Sequence, residues 1–392
     1  MNTRSKVIVV PCNTYDKETV YRAVKAGVLA LGGIGAFVRH EERILVKPNY
    51  LSAADPDKAV TTHPAVIEAV LRLLSEYGCA DLSCGDSPGH GKGEAVAARL
   101  GLAETFRALG VREAEMNEEV LTAYPEGKTA KSFYFAKEVT RADAIVNVCK
   151  MKTHALERIT GAVKNVYGFI CGMRKAAGHV TYPNPNVFAR MLADIHRKTD
   201  IRLHVMDGIV AMEGNGPGSG DPVPMNVLLF SADPVALDAT FCRLVNLDPR
   251  LVPTCEQGQL LGIGRHEEAD IELLLAEPVE GSADPSVTAV TAAELVSRYG
   301  NPAFNVDRRP GMNGGKWGRR IGILNHVTKR PYIDKKACVK CGVCVSHCPV
   351  PGKAVDFKKG KDQPPVYDYS RCIRCFCCQE MCPKHAIHVK GI

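Results

Sequence analysis

Only one of the chain's 392 residues is tryptophan and 6% are aromatic, and no apolar run approaches the eighteen or so residues that a membrane-spanning helix requires. The first twelve residues are a charged lead into a strand and lack the apolar core of a signal peptide or anchor, so a cytoplasmic location is expected and no membrane partner. No heptad repeat runs long enough for a coiled coil. The basic stretches lack interleaved aromatics, which argues against nucleic acid as a partner. Neither G-x-G-x-x-G nor a Walker loop occurs, so the chain shows no dinucleotide or P-loop fingerprint. At 45% hydrophobic and 24% charged residues the composition is that of a globular protein, and its length suggests two or three domains.

Cysteine, in contrast, is abundant. Eight of the 16 cysteines fall in the last sixty or so residues as two copies of C-x2-C-x2-C-x3-C-P. The first copy is Cys338, Cys341, Cys344 and Cys348; the second is Cys372, Cys375, Cys378 and Cys382. This is the bacterial ferredoxin run for two [4Fe–4S] clusters, in which the fourth cysteine of each run ligates the other cluster. The pattern assigns Cys338, Cys341, Cys344 and Cys382 to a first cluster, and Cys372, Cys375, Cys378 and Cys348 to a second. Structural zinc would call for two CxxC pairs across a longer gap. Cys377 would break the C-x2-C step and is read as a non-ligand neighbour of Cys378. The other cysteines are scattered in apolar segments, as in a reducing compartment where thiols stay free.

The net charge of +7 is uneven. Residues 301–336 hold nine Lys/Arg against Asp307 and Asp334, whereas residues 1–300 are net acidic. Three units follow: an α/β domain over 1–300, a basic Gly/Arg-rich connector over 301–331, and a small α+β dicluster ferredoxin-type domain over 332–392. The connector carries Trp317 and reads either as a solvated tether or as a surface laid over the α/β domain.

Within residues 1–300, short apolar strands are expected at 7–10, 44–46, 81–84, 144–149, 202–207, 226–230 and 271–275. Amphipathic helices are expected at 18–31, 64–77, 94–109, 186–198, 235–244 and 292–298. Such alternation implies a mainly parallel sheet with helices on both faces and a ligand site at the strand carboxyl ends. Polar residues gather there. Lys47 and Asn49 follow one strand, and the glycine-rich stretch with Asp86 follows the next. A dense group holds Lys150, Lys152, His154, Lys164, Asn165, Lys175 and His179, lysines and histidines without the acids that usually accompany a solvated face. Glu213 opens another glycine-rich loop, a lid or merely a hairpin turn, and Asp233 before Pro234 reads as a helix cap.

Lys47-Pro-Asn49, Gly85-Asp-Ser-Pro-Gly, Lys150-x-Lys152-Thr-His154, Gly161-Ala-Val-Lys164-Asn165-x-x-Gly, Asp207-Gly-Ile with Glu213-Gly-Asn-Gly-Pro, and Asp233-Pro-Val-Ala-x-Asp238 occur in this order. Together they resemble the family called domain of unknown function 362, whose members often carry a C-terminal dicluster ferredoxin. The resemblance implies that these motif residues line one site, and it implies no substrate.

Three functions are consistent with the residues. The first is an oxidoreductase in which two [4Fe–4S] clusters pass electrons to a small anionic molecule. Lys47, Asn49, Lys150, Lys164, Asn165 and Lys175 would bind it, and Lys152, His154, His179, Asp86 and Glu213 would take catalytic roles. The second is an electron carrier or binding module that docks a redox partner protein. The third is a non-redox isomerase or lyase whose clusters are structural or regulatory.

Overall fold

The computed structural model describes residues 4–89, 91–172, 174–310, 329–358 and 360–390. In chain order the first half forms β1 (Ser5–Pro11), α1 (Lys17–Ala30), β2 (Arg43–Pro48), α2 (Pro64–Tyr77), β3 (Asp81–Cys84), α3 (Gly93–Arg99), α4 (Leu102–Leu109), β4 (Arg112–Glu113), β5 (Glu119–Ala123), β6 (Ser132–Ala136), α5 (Lys137–Arg141), β7 (Ala144–His154) and β8 (Arg158–Thr160). There follow α6 (Ala162–Asn165), α7 (Arg174–Thr181), α8 (Pro185–Lys198), β9 (Ile201–Glu213), β10 (Asp221–Ser231), α9 (Pro234–Leu244), α10 (Pro253–Leu260), β11 (Ile271–Glu277), β12 (Ser286–Ala289) and α11 (Ala292–Tyr299).

Ten of these strands make one sheet in the order β12-β11-β1-β10-β9-β7-β2-β3-β4, with β8 added to β7. The pairs β1/β11, β7/β9, β2/β7, β2/β3 and β3/β4 are parallel, while β10 runs against both neighbours, as β12 and β8 run against theirs. The sheet is therefore mixed but mostly parallel, and the carboxyl ends of β2, β3, β7 and β9 share one edge. One apolar core packs α1, α2 and α4 on one face; a second packs α8, α9, α10 and the β5/β6 hairpin on the other.

Local chemistry explains most boundaries. Pro64 sits in the first turn of α2, His63 Nδ1 accepts from Ala65 N–H, and Gly78 ends the helix in the left-handed region at φ 96°. The sequence pattern suggests one helix over 94–109; the chain instead breaks into α3 and α4 at Gly101, which is left-handed at φ 70°. β7 runs on past Cys149 to His154 because β8 folds back on it, pairing Lys152 with Thr160 and His154 with Arg158. Lys150 and Lys152 thus lie on a buried strand rather than in a loop. Asp233 caps α9, accepting from Val235 and Ala236 N–H, and the glycine-rich loop after Glu213 is the turn of the β9/β10 hairpin.

The segment beginning at residue 301 differs from a tether. Phe304 is fully buried in the second core, edge-on to Phe241 at 6.0 Å. Arg308 Nη2 donates to the carbonyls of Val245 and Phe304, both at 2.7 Å, and Arg158 donates to the carbonyls of Asp307 and Arg309 at 2.6 and 2.7 Å. These guanidiniums satisfy backbone carbonyls, so residues 301–310 are a strap of the α/β body, which ends about ten residues later than the charge pattern suggests. Trp317 and the rest of 311–328 lie outside the described residues.

The C-terminal domain holds β13 (Arg330–Ile333), α12 (Val343–Ser346), β14 (Val355–Asp356), β15 (Val366–Tyr367), α13 (Cys377–Glu380) and β16 (Ile387–Lys390). Two antiparallel ladders, β13/β16 and β14/β15, flank the two single-turn helices. Truncating Phe304 to alanine empties a closed site in the α/β core. Phe304→Ala should therefore lower the unfolding free energy of that domain by about 3–5 kcal/mol in chemical denaturation followed by circular dichroism. An unchanged midpoint would return this segment to the status of a tether.

Candidate functional site

At the shared carboxyl edge of β2, β3 and β7 lies a cleft partly covered by the C-terminal domain. Asn49, Asp86, Lys152, His154, Lys164, Asn165, Lys175 and His179 all reach its wall. The opposite wall comes from the second cysteine run, with Cys377, Glu380 and Met381, and from His347 of the first.

A chain of amides orders the floor. Lys152 Nζ donates to Asn49 Oδ1 at 2.8 Å and to the Val60 carbonyl at 2.6 Å. Asn49 Nδ2 donates to Asn165 Oδ1 at 2.8 Å, and Asn165 Nδ2 to Asn147 Oδ1 at 2.7 Å. The turn carrying Lys164 and Asn165 is held in turn by Asp238, whose carboxylate accepts from Ala162 and Val163 N–H at 2.6 and 3.1 Å. The motif around Asp238 therefore acts on the cleft from behind, by fixing α6.

The charges are unbalanced in a useful way. Lys152 is 1% exposed, and burial first, then the neighbouring Lys164 and Lys150, push its pKa well below the ordinary value. Burial likewise lowers Lys175 to about 8. Lys164 has a cation–π contact with the Tyr167 ring at 5.9 Å and no carboxylate or carbonyl partner among the described residues. Burial lowers both His154 and His179 to about 4, so they are neutral at pH 7. His154 Nδ1 accepts from the N–H groups of Leu156 and Glu157, both at 3.1 Å, which leaves the ring proton on Nε2. That nitrogen stands 2.8 Å from Glu380 Oε1, a short contact off the hydrogen-bonding line. Burial pushes the Glu380 carboxyl up, but His154 and Lys164 outweigh it and hold it at about 2. Asp86 uses Oδ2 for Tyr50 N–H and Lys47, leaving its buried Oδ1 without a partner.

Three residues expected in the site stand outside the cleft wall. Lys47 lies behind Asp86, its ammonium 3.0 Å from that carboxylate. Lys150 donates to Asp207 at 2.7 Å and to the Tyr15 hydroxyl at 2.9 Å, so its charge is spent on joining β7, β9 and the loop after β1. Glu213 accepts from Asn305 N–H at 2.7 Å and fastens the strap. Conversely, Cys377, Glu380, His347 and Tyr167 join the wall without having been singled out as site residues. Only Cys377 carried a signal, as the one cysteine that did not fit the ligand spacing.

The cysteine sulfurs segregate into two groups. The Cys344 thiol is pushed up to about 12, by burial first and then by Cys382, Cys338 and Cys341; the sulfurs that bear on Cys372 include Cys375 and Cys348. These neighbours are those of the crossed pattern. Cys338, Cys341, Cys344 and Cys382 ring a small cavity rather than meeting at a point. Among the described residues no three His, Cys, Asp or Glu side chains converge as a single metal ion would need. Such a ring of thiols suits a multi-iron cubane. Each fourth cysteine is oriented by a backbone donor: Ala354 N–H to Cys348 Sγ and Ala386 N–H to Cys382 Sγ, both 3.3 Å.

The fold and cleft define a class: an α/β body with a cationic site at its sheet edge, roofed by an iron–sulfur domain. The chain belongs to the family described as Domain of unknown function (DUF362), which matches residues 44–243, and residues 330–383 match the 4Fe-4S dicluster domain. It is thus an iron–sulfur protein whose cofactors are two [4Fe–4S] clusters. A thylakoid-associated protein of Synechocystis sp. is 31% identical over 275 residues, which cover 70% of this chain and 84% of that protein. Among solved structures, the lactate racemase apoprotein from Thermoanaerobacterium thermosaccharolyticum matches at a TM-score of 0.41 and 13% identity, over 62% of this chain and 57% of its own. A Thermotoga maritima protein matches at 0.35 and 15%, over 62% and 59%. The chain thus spans less than two thirds of those two structures' length. No helix among the described residues is long and apolar enough to cross a membrane.

Two measurements check the site. Because Lys175 loses its charge near pH 8 while the histidines are already neutral, affinity for sulfate, whose own charge is constant, should fall as pH rises from 7 to 9 in calorimetric titration, and Lys175→Gln should flatten the profile. Cys377→Ala should keep about eight irons per chain, whereas Cys378→Ala should lose iron, because only Cys378 fits the ligand spacing.

Proposed function

We propose that the protein is an oxidoreductase that exchanges electrons between its C-terminal domain and a small anionic substrate or cofactor held in the cleft. The observation that carries this reading is that both domains build the cleft: cationic side chains of β7, α6 and α7 face α13, the helix that bears Cys378. When bound, the two clusters supply single electrons at low or moderate potential. The protein's own residues do the rest. Lys164, lacking an anionic partner, receives a carboxylate or phosphate, and Lys152, held by Asn49, adds a fixed second charge. The buried Asp86 Oδ1 accepts a hydroxyl or amine proton of the same molecule.

Proton delivery falls to Lys175 rather than to the histidines. A group at about 8 is protonated yet acidic enough to give its proton up near neutral pH, whereas His154 and His179 at about 4 hold no extra proton there. His154, with its tautomer fixed, orients the ligand through Nε2–H. A reducing cytoplasm suits this chemistry, since no disulfide joins the cysteines among the described residues. A redox partner protein would deliver electrons at the outer face of the C-terminal domain, where Cys341 is exposed.

Full-length protein reduced anaerobically and mixed with a low-molecular-weight metabolite fraction should reoxidise faster than in buffer. Lys164→Gln should slow this at least tenfold with cluster absorbance unchanged, as loss of a charge-assisted hydrogen bond worth roughly 1.5–3 kcal/mol implies. Equal rates for the two proteins would remove the cleft from the reaction.

A further inference from the structure

The C-terminal domain is an internal repeat, and the repeat supplies its own control. In each run the backbone donor to the fourth cysteine is the same: an alanine N–H 3.3 Å from the sulfur. These two bonds act equally on the two clusters. Other positions around the runs are not equal.

Tyr367 ends β15 five positions before Cys372, and Ile333 ends β13 five positions before Cys338. The Tyr367 hydroxyl donates to Cys378 Sγ at 3.1 Å. Ile333, which lines the cavity of the first group, has no proton to donate. The second difference is at the residue before the third cysteine. Cys377 precedes Cys378 and its thiol is hydrogen-bonded to Cys375; Val343 precedes Cys344 and again lines the first cavity as an apolar group. The second group of sulfurs therefore receives two side-chain donors, O–H and S–H, where the first receives none at the equivalent positions. The two sets also differ in surroundings, since Cys341 is exposed while Cys377, next to Cys378, is buried in the wall of the cleft.

A hydrogen bond to a cluster sulfur stabilises the more negative, reduced state, and so raises the reduction potential. We propose that Tyr367 and Cys377 poise the second cluster above the first, so that an electron received at the exposed Cys341 side comes to rest beside the cleft. The transfer is of one electron: the first centre is oxidised by one, the second reduced by one, and no proton or covalent bond changes hands. The electron's source is a one-electron carrier protein or, in the test, dithionite. The inference rests on the crossed cysteine assignment and not on what binds in the cleft.

Potentiometric titration of the full-length protein with both clusters, read by EPR, tests it without any substrate. The unaltered protein should show two separated one-electron steps. Tyr367→Phe, which keeps the ring, should lower the upper step by roughly tenfold in the equilibrium constant, about 59 mV, and leave the lower step in place. Cys377→Ala should do the same, and the double variant should bring the steps together. Ile333→Tyr should raise the lower step. Coincident steps in the unaltered protein, or an upper step that does not move in Tyr367→Phe, would overturn the proposal. Should Cys377→Ala fail to assemble both clusters, Tyr367→Phe alone decides.

Discussion

A buried amide joins the two halves of this protein, and the cleft exists only while that join holds. Gln379, fully buried on α13, donates through Nε2 to the carbonyls of Asn215 at 2.8 Å and Gly216 at 3.2 Å in the β9/β10 turn. Asn215 answers by donating to the Ile387 carbonyl at 3.0 Å, and His385 meets Ser219 at 2.7 Å. An amide withdrawn from water is stabilised only if these partners stay in place, so undocking would expose unpaired groups on both sides. The seam fixes where α13 sits, and α13 carries Cys377, Cys378 and Glu380. It also gives the glycine-rich turn its reason: Gly216 packs so closely on Thr153 that a side chain there would collide with the Thr153 carbonyl at 2.3 Å.

Once the seam has placed α13, electrostatics decides what the cleft can hold. Three lysines face inward, while among the described residues the carboxylates on the wall are Asp86, already shared with Lys47, and Glu380, 2.8 Å from His154 Nε2. Burial lowers two of the lysines, and Asp86 beside Lys175 and Glu380 beside Lys152 offset only part of it; a bound anion would reverse the rest and draw protons onto them. The cleft is thus a site in which binding an anion and taking up a proton favour each other. An adjacent reduced cluster adds negative charge and strengthens the same tendency, which is the condition for moving an electron and a proton together.

Much of this was legible in the residues. Strand and helix alternation gave the sheet and its layers, and the cysteine spacing gave the ferredoxin-type domain, because both are local patterns with a fixed physical period. Polar residues expected at strand ends lie at the sheet edge that carries the cleft. What the sequence left open were long-range partners. Lys150 and Lys152 stand two residues apart on one strand and look alike, yet Asp207 on β9 neutralises one and no carboxylate among the described residues pairs with the other. Glu213 looked like a site acid and instead accepts Asn305 N–H of the strap. The strap was hidden because its arginines read as solvated charge, whereas Arg308 is fixed on backbone carbonyls and Arg309 on the Asp307 carboxylate. Cys377 was noticed only as a misfit, since the cleft residues of the α/β body that it faces are far away in sequence.

The central claim is that an anion in the cleft lies next to the second cluster. Pulsed EPR on the reduced full-length protein with phosphate bound measures this directly, through the hyperfine coupling between the phosphorus nucleus and the reduced centre. A resolved phosphorus coupling that disappears in Lys164→Gln is the result predicted here. A signal no stronger than that of phosphate free in solvent, with phosphate shown by calorimetry to be bound, would contradict it.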